Sequence, residues 1–418
     1  MDRFGSGSCR KGCVAATLFW LLAATPSAVL AQEPQPFRRD DEIDGRDFDY
    51  SDVTFLHHFT YRPRTELQWE WIRNPSGFRA TAGSIRSDEF YADLAIRRRW
   101  ALDEHYFFEL RSEVAEDFDG RYHHIVTGVG RHLGSGWSAA VHGELEGAKE
   151  NIDASVELRW EDQLGLGRRL RIVGMAVDAT YNGKNDEFAE YERSPFTTFV
   201  EGLWTTESGV SGQAWVNWNS DTRLEREADG HDFTYRRLHG GARALVPWSS
   251  WQLMLEGLGE RGRTERTPFD PTTATDDDER RLSRYHLRAR AELERTVNER
   301  VAVWGGYTYF RLLERDRRPR DLTLDRKILR REHTVYVGAT WKISERVLLW
   351  PGLYLDFPDN REDLDFAGIS DADRSMVGKI ALPLEVAFAN GARLTINPTV
   401  RVDEARFGGG NVQLHVPF

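Results

Sequence analysis

Cysteine is nearly absent from this chain. Of 418 residues only Cys9 and Cys13 are cysteines, and both lie in an N-terminal stretch with the layout of a secretory signal peptide. Arg3, Arg10 and Lys11 are followed by an apolar core from Val14 to Ala24 and by small residues ending Val29-Leu30-Ala31. That core is too short to cross a bilayer as a helix, and neither cysteine follows an apolar run as a lipid-anchored cysteine would. With cleavage near Ala31, the mature chain is expected to have no disulfide, no thiol nucleophile and no cysteine metal site. Long apolar runs are lacking too. After residue 31 nothing approaches the ~18 apolar residues a membrane helix needs. If the mature chain enters a membrane, it must do so as strands closed into a barrel. Positive charge is the third shortage. Against 67 acidic residues stand 56 basic ones, a net charge of −11, which becomes −13 once Asp2, Arg3, Arg10 and Lys11 are removed. So acidic a chain is a poor nucleic-acid binder.

What is present is alternation. Residues 32–49 are polar and charged and read as a flexible leader, within a segment 32–64 expected to be periplasmic, where 53–61 (Val53, Phe55, Phe59, Tyr61) alternates and reads as a periplasmic or lumenal segment or one extra strand. From 65 onward, runs of strand length place apolar residues at every second position. Leu67, Trp69 and Trp71 alternate with Glu66, Gln68 and Glu70, and Tyr106, Phe108 and Leu110 with Glu109, Arg111 and Glu113. Trp137 to Leu145, Ile152 to Trp160 and Tyr285 to Leu293 repeat the pattern. The apolar faces are small in the middle (Ala, Gly) and aromatic towards the ends, unlike the Ile, Val, Leu and Phe that fill a soluble sandwich. Aromatic ends suit two membrane interfaces, and a polar opposite face suits a wet lumen.

Connector lengths point the same way. Short polar connectors at 102–104, 133–136, 247–250, 297–299, 343–345 and 389–391 contrast with longer polar stretches at 74–88, 182–194, 219–231, 260–282, 314–331 and 357–372. Segmenting from 65–73 to 410–418 gives about eighteen strands, with sixteen possible, and even parity returns the chain to the side on which it started. The last stretch, Gly410-Asn411-Val412-Gln413-Leu414-His415-Val416-Pro417-Phe418, alternates and stops on an aromatic residue. It resembles the final strand of Gram-negative outer-membrane β-barrels, whose terminal aromatic belongs to the signal read by the outer-membrane assembly machinery. At the level of class, residues 1–31 and 65–418 resemble such a barrel of porin or export-channel type. The resemblance implies an all-β transmembrane antiparallel barrel in the cell outer membrane, with long extracellular loops and short periplasmic turns. It also implies contact with outer-membrane lipid and lipopolysaccharide, and passive passage of small polar solutes or a secreted saccharide. Substrate-specific porins and exopolysaccharide exporters share this architecture, and no substrate-binding residue of either is matched here.

The candidate lumen-lining residues are those opposite the apolar face: Arg97, Arg99, Glu109, Arg111, Glu113, Glu144, Glu157, Arg159, Arg288, Arg290 and Glu292. Charges there bias which solutes pass, or pair across strands and fill the interior. Their mixed signs argue against strong ion selectivity. Arginine supplies 50 of the 56 basic residues, and its planar fork suits carboxylates and sugar hydroxyls, although a GC-rich genome produces the same bias. Loop arginines Arg315, Arg317, Arg318 and Arg320 could clamp lipopolysaccharide phosphates. An inward-folded loop, 260–282 or 314–331, would narrow the lumen.

No cofactor or metal is expected. Acidic clusters at Asp276-Asp277-Asp278-Glu279 and at Asp359, Glu362, Asp363 and Asp365 have calcium-compatible oxygens but not the spacing of a calcium loop. His57-His58 and His123-His124 are adjacent, so in a strand their rings point to opposite faces and cannot chelate together. No G-x-S-x-G, H-E-x-x-H or Walker sequence occurs, so no enzyme is expected. The alternatives are a non-conducting barrel partnering a secretion or electron-transfer assembly, and a rim hydrolase dependent on a residue such as His124.

Overall fold

The computed structural model describes residues 76–84, 90–117, 120–146, 152–162, 167–176, 189–193, 196–226, 231–268, 279–318, 324–364, 369–402 and 405–418. Its strand segments are β1 (Gly77–Ser84), β2 (Phe90–Ala101), β3 (Tyr106–Asp117), β4 (Gly120–Gly134), β5 (Trp137–Glu146), β6 (Ile152–Glu161) and β7 (Arg169–Ala176). Then come β8 (Ala189–Arg193), β9 (Phe196–Thr205), β10 (Ser211–Arg226), β11 (His231–Trp248), β12 (Trp251–Pro268), β13 (Arg280–Asn298), β14 (Val301–Arg317) and β15 (Leu324–Ser344). The last are β16 (Val347–Leu349), β17 (Gly352–Leu364), β18 (Ile369–Asp373), β19 (Val377–Ala381), β20 (Leu384–Ala387), β21 (Arg393–Arg401) and β22 (Arg406–Pro417).

Several segments are parts of one strand. Both β8 and β9 pair with β10, both β16 and β17 pair with β15, and β18, β19 and β20 together run alongside the β16–β17 strand. Proline causes two of the breaks. Pro351 and Pro383 have no N–H to give to a ladder, yet their carbonyls still accept from Ala339 and Trp350 at 3.1 and 3.0 Å. The segments therefore make eighteen antiparallel strands. β22 pairs back onto β1, from Gly77 opposite Pro417 to Ser84 opposite Gly410, so the sheet closes and leaves no edge.

Burial is inverted relative to a soluble protein. Val141, Val156 and Val337 are 62, 59 and 57 % exposed, whereas their polar neighbours His142 and Glu157 are 2 and 1 % exposed. The apolar side chains form an outward belt, and exposed Trp100, Tyr106, Trp248, Trp341 and Phe418 ring its lower end beside the short turns. Arg98 lies over the rings of Trp100 and Phe418, at 5.4 and 5.2 Å, tying the final residue into that ring.

The short turns follow from their residues. The Asp103 carboxylate accepts from the backbone N–H groups of His105 and Tyr106 at 2.7 Å, and Asn298 Oδ1 accepts from those of Arg300 and Val301 at 2.9 Å. Gly134, Ser135 and Gly136 all have positive φ, which a two-residue hairpin demands and which Gly supplies at least cost.

Two expectations about segmentation are corrected. The stretch 74–88 contains strand β1 rather than a loop, and the expected first strand at 65–73 lies outside the described residues, as does 53–61. The long connectors at 219–231, 260–282, 314–331 and 357–372 are mostly strand: β10 continues to Arg226, β12 to Pro268, β13 begins at Arg280, β14 continues to Arg317, β15 begins at Leu324 and β17 continues to Leu364. At roughly 3.3 Å per residue and about 40° of tilt, the 19 residues of β13 rise about 48 Å. An apolar band is only about 25 Å tall. The excess stands above it with both faces polar, which reads as loop when only sequence alternation is followed. An inward-folded loop made of all of 260–282 or 314–331 is therefore ruled out.

Candidate channel lining

On β2 to β9 the inward positions form one charged layer. Glu109 of β3 accepts from Arg99 Nε of β2 at 2.6 Å and from Arg111 at 3.1 Å. It also lies 3.2 Å from His142 Nε2 and 3.4 Å from Arg159. Glu157 of β6 holds Arg159 in a close contact, Arg171 Nε of β7 at 2.8 Å and Arg111 at 3.4 Å. Farther along, Glu201 accepts from Arg169 at 2.9 Å and from Gln213 at 2.7 Å.

The reach of this layer has a sequence cause. β3 and β6 are separated by β4 and β5, three strand spacings or about 14 Å of wall. Yet Arg111 touches Glu157 and Arg159 touches Glu109. Between them the inward residues of β4 and β5 are mostly small, including Gly128, Gly130, Ser138 and Ala140, so the long side chains pass over them. Phe107 and His142 lie across Gly130 and Gly128, their direct cross-strand partners. A Cβ on Gly128 would sit 2.7 Å from the Val141 carbonyl oxygen and inside the His142 ring contact.

The opposite wall is built differently. Trp304 of β14, Tyr336 of β15 and Tyr354 of β17 meet inside the barrel with ring centroids 5.6–6.4 Å apart, backed by Phe310, Leu312, Trp350 and Ala381. Glycine again makes room. Gly306 pairs with Tyr336, and Gly338 sits between Trp304 and Gly352 in register, so the indole covers two glycines. Charge borders this cluster. Arg290 donates to Tyr336 Oη at 2.9 Å and to Glu292 at 2.7 Å, Tyr336 donates to Glu292 at 3.1 Å, and Glu256 binds Arg288 at 2.8 Å with Arg243 at 3.8 Å.

The structure puts Arg97, Arg99, Glu109, Arg111, Glu157, Arg159, Arg288, Arg290 and Glu292 on the inner face. It joins Arg99, Glu109, Arg111, Glu157 and Arg159 in one network and keeps Arg288, Arg290 and Glu292 in another. Glu113 and Glu144 are on β3 and β5, with side chains outside the described residues, as are those of His123 and His124 on β4. Alternation puts His142 on the polar face without marking it as lumen-lining, and sequence reasoning missed Arg169, Arg171, Glu201, Gln213, Arg243 and Glu256. Alternation opposite Leu170 and Ile172 would have found the two β7 arginines. The inward aromatic cluster has no such signal, because β14 carries aromatics on both faces (Trp304 inward, Tyr307 outward) and the Gly305-Gly306 pair breaks the pattern.

The second acidic cluster is committed to ion pairs. Asp359 meets Arg361 and Arg374 at 3.2 and 3.1 Å, Glu362 meets Arg326 at 2.7 Å and Asp363 meets Lys327 at 2.8 Å. Asp276, Asp277, Asp278 and Asp365 lie outside the described residues.

No protein-family model and no curated protein sequence matches the chain. Among solved structures it is similar to OccK2 (OpdF) of Pseudomonas aeruginosa, at 10% identity over 82% of this chain and 97% of that one, with a TM-score of 0.39. It is also similar to a loop-deletion form of OmpT, an outer membrane protein of Vibrio cholerae, at 12% identity over 81% and 97%, TM-score 0.36. A bacterial polysaccharide outer membrane secretin gives 8% identity over 83% and 99%, TM-score 0.36.

Proposed function

We propose that the chain resides in the outer membrane as a channel through which small polar solutes pass passively, a hydroxyl-bearing saccharide among them. The observation that carries this reading is the guanidinium–carboxylate layer spanning β2 to β9, with Arg99, Arg111, Arg159, Arg169 and Arg171 held in place by Glu109, Glu157 and Glu201. Fixed guanidinium forks offer paired donors to hydroxyls and carboxylates without reorganising. Because carboxylates are interleaved, charge discrimination is weak and hydrogen-bonding capacity and size do the sorting. The outward apolar belt supports the membrane location.

A second reading is favoured by the packing of the inner face, where Glu157, Gln213, Asn397 and Thr399 expose at most 1 % of their surface. So dense a polar layer suits a non-conducting barrel that serves as a membrane partner. Single-channel recording of the refolded mature protein in planar bilayers separates the two. Steady discrete steps with weak ion preference are expected. A folded, heat-modifiable barrel that gives no steps would overturn the channel reading and favour the partner reading. A rim hydrolase would show instead as lipid or peptide hydrolysis by the same preparation.

A further inference from the structure

On the outer wall above β10 to β14 the belt is interrupted by a groove of about 620 Å³. Its floor is glycine: Gly240 of β11 and Gly259 of β12 are direct cross-strand partners, and the nearest atom to a Cβ on Gly259 would be the His286 carbonyl oxygen at 3.9 Å, so the space over it is open. Apolar Val216, Leu238 and Leu287 flank that floor, and arginine closes the upper end, with Arg261 lying over the Tyr285 ring at 5.6 Å and Arg311 and Arg315 beyond it.

Three features set this groove apart. The first is height. From Val301, beside the short turn, to Arg311 is ten residues of β14, which at about 3.3 Å each and about 40° of tilt is about 25 Å, the height of the apolar band. Arg311 thus stands where acyl chains give way to headgroups on the side away from the short turns, with Arg315 four residues farther out, about 10 Å above it. The second is pairing. Lumenal arginines are held by carboxylates, whereas Arg261, Arg311 and Arg315 form no ion pair with any described residue. The third is that apolar floor and cationic head are continuous, which is the polarity of an acylated phosphate.

We infer that this groove binds one phosphorylated lipid of the outer leaflet, lipopolysaccharide, with an acyl chain along Gly240 and Gly259 and a phosphate held by Arg261, Arg311 and Arg315. This rests on the outer-membrane location proposed above. A guanidinium cluster is well suited to phosphate oxygens, which it can take two at a time. Three like charges side by side oppose a second copy of this chain in the same place, unless that copy brings a carboxylate.

The test uses the refolded full mature chain in detergent, its R311A/R315A variant and its Gly259→Leu variant. The readout is native mass spectrometry with short-chain lipopolysaccharide carrying both lipid A phosphates or enzymatically dephosphorylated. Wild type is expected to retain the phosphorylated form, with about a thirtyfold loss in affinity in R311A/R315A, since each basic residue near an anionic lipid surface contributes about fivefold. A comparable loss is expected on dephosphorylation, and Gly259→Leu should lose binding of both forms by filling the floor. Heat-modifiable migration confirms that each variant is folded. Equal retention by wild type and R311A/R315A, or equal retention of the dephosphorylated lipid, would overturn the site, as would a dimer mass that disappears in R311A/R315A. Single-channel conductance should be the same in all three proteins, because the groove is outside the lumen. Failure of the channel reading thus shows as absent steps in wild type and leaves the lipid result standing, while failure of the membrane location shows as wild type remaining soluble without detergent.

Discussion

The two inner walls of this barrel solve the same packing problem with opposite chemistry. Around β3 and β6 glycine and alanine leave room that is filled by guanidinium and carboxylate groups reaching over β4 and β5. Around β14 to β17 glycine leaves room that is filled by Trp304, Tyr336 and Tyr354. A charged layer is mutually dependent, because each carboxylate serves several arginines. An aromatic cluster is held by contact area and loses roughly what is removed. Coupling, more than total stability, should tell them apart.

The largest effect is expected from Glu157→Ala. It deprives Arg111, Arg159 and Arg171 of a shared partner in a region only 1 % exposed at Glu157, and orphaning a buried charge costs about 3–5 kcal/mol. Denaturant unfolding in micelles would measure it. Adding Glu109→Gln should cost more in that background than alone, because Arg111 and Arg159 then rely on Glu109 for their charge pairing. Additive losses would show that the layer is a set of independent pairs.

Trp304→Ala comes next. It removes an indole 2 % exposed, and truncation of a buried aromatic costs about 3–5 kcal/mol through lost transfer and a cavity. Combined with Glu157→Ala it should be additive within about 0.5 kcal/mol, since the two sites lie on opposite walls. Strong coupling between them would erase the distinction between the walls.

Gly128→Ala is a smaller perturbation of the charged wall. The new methyl meets the Val141 carbonyl, which is backbone and cannot swing away, and the His142 ring. Overpacking of this kind costs about 1–3 kcal/mol. Displacing His142 should also disturb its contact with Glu109, so the ion selectivity of any conductance should change in Gly128→Ala and stay constant in Trp304→Ala.

How far these walls were legible in the sequence follows from the bilayer. Within the belt each strand must show lipid an apolar face, so Trp137 to Leu145 and Val412 to Phe418 announce themselves by alternation, and strand count and parity follow. Above the belt that demand ends. Outward Arg263, Glu265 and Arg281 pair with one another there, and the strand loses its signature while keeping its ladder. The charged inner wall is half legible, since alternation says which residues point inward but not that β3 will meet β6 across two strands of small residues. That contact depends on Gly128, Gly130 and Ala140 all being small enough for the long side chains to pass over them. The aromatic wall was not legible, because an inward Trp304 and an outward Tyr307 are the same kind of letter.

The smallest effect belongs to the turn that joins β2 to β3, below both walls. The N–H groups of His105 and Tyr106 hold the Asp103 carboxyl below its ordinary range. Its pKa being lower in the folded state than in the unfolded one, the contribution to stability is present above the unfolded value, about 3.9. It is lost as pH falls through the lower folded value. Amide exchange at His105 and Tyr106, corrected for intrinsic rates, should therefore lose protection only at strongly acid pH. Asp103→Asn keeps an oxygen acceptor in the same place without a titrating group, so its protection should be independent of pH there, while Asp103→Ala should lose protection at every pH. If Asp103→Asn kept the acid-induced loss, the titrating group would lie elsewhere at this end of the barrel.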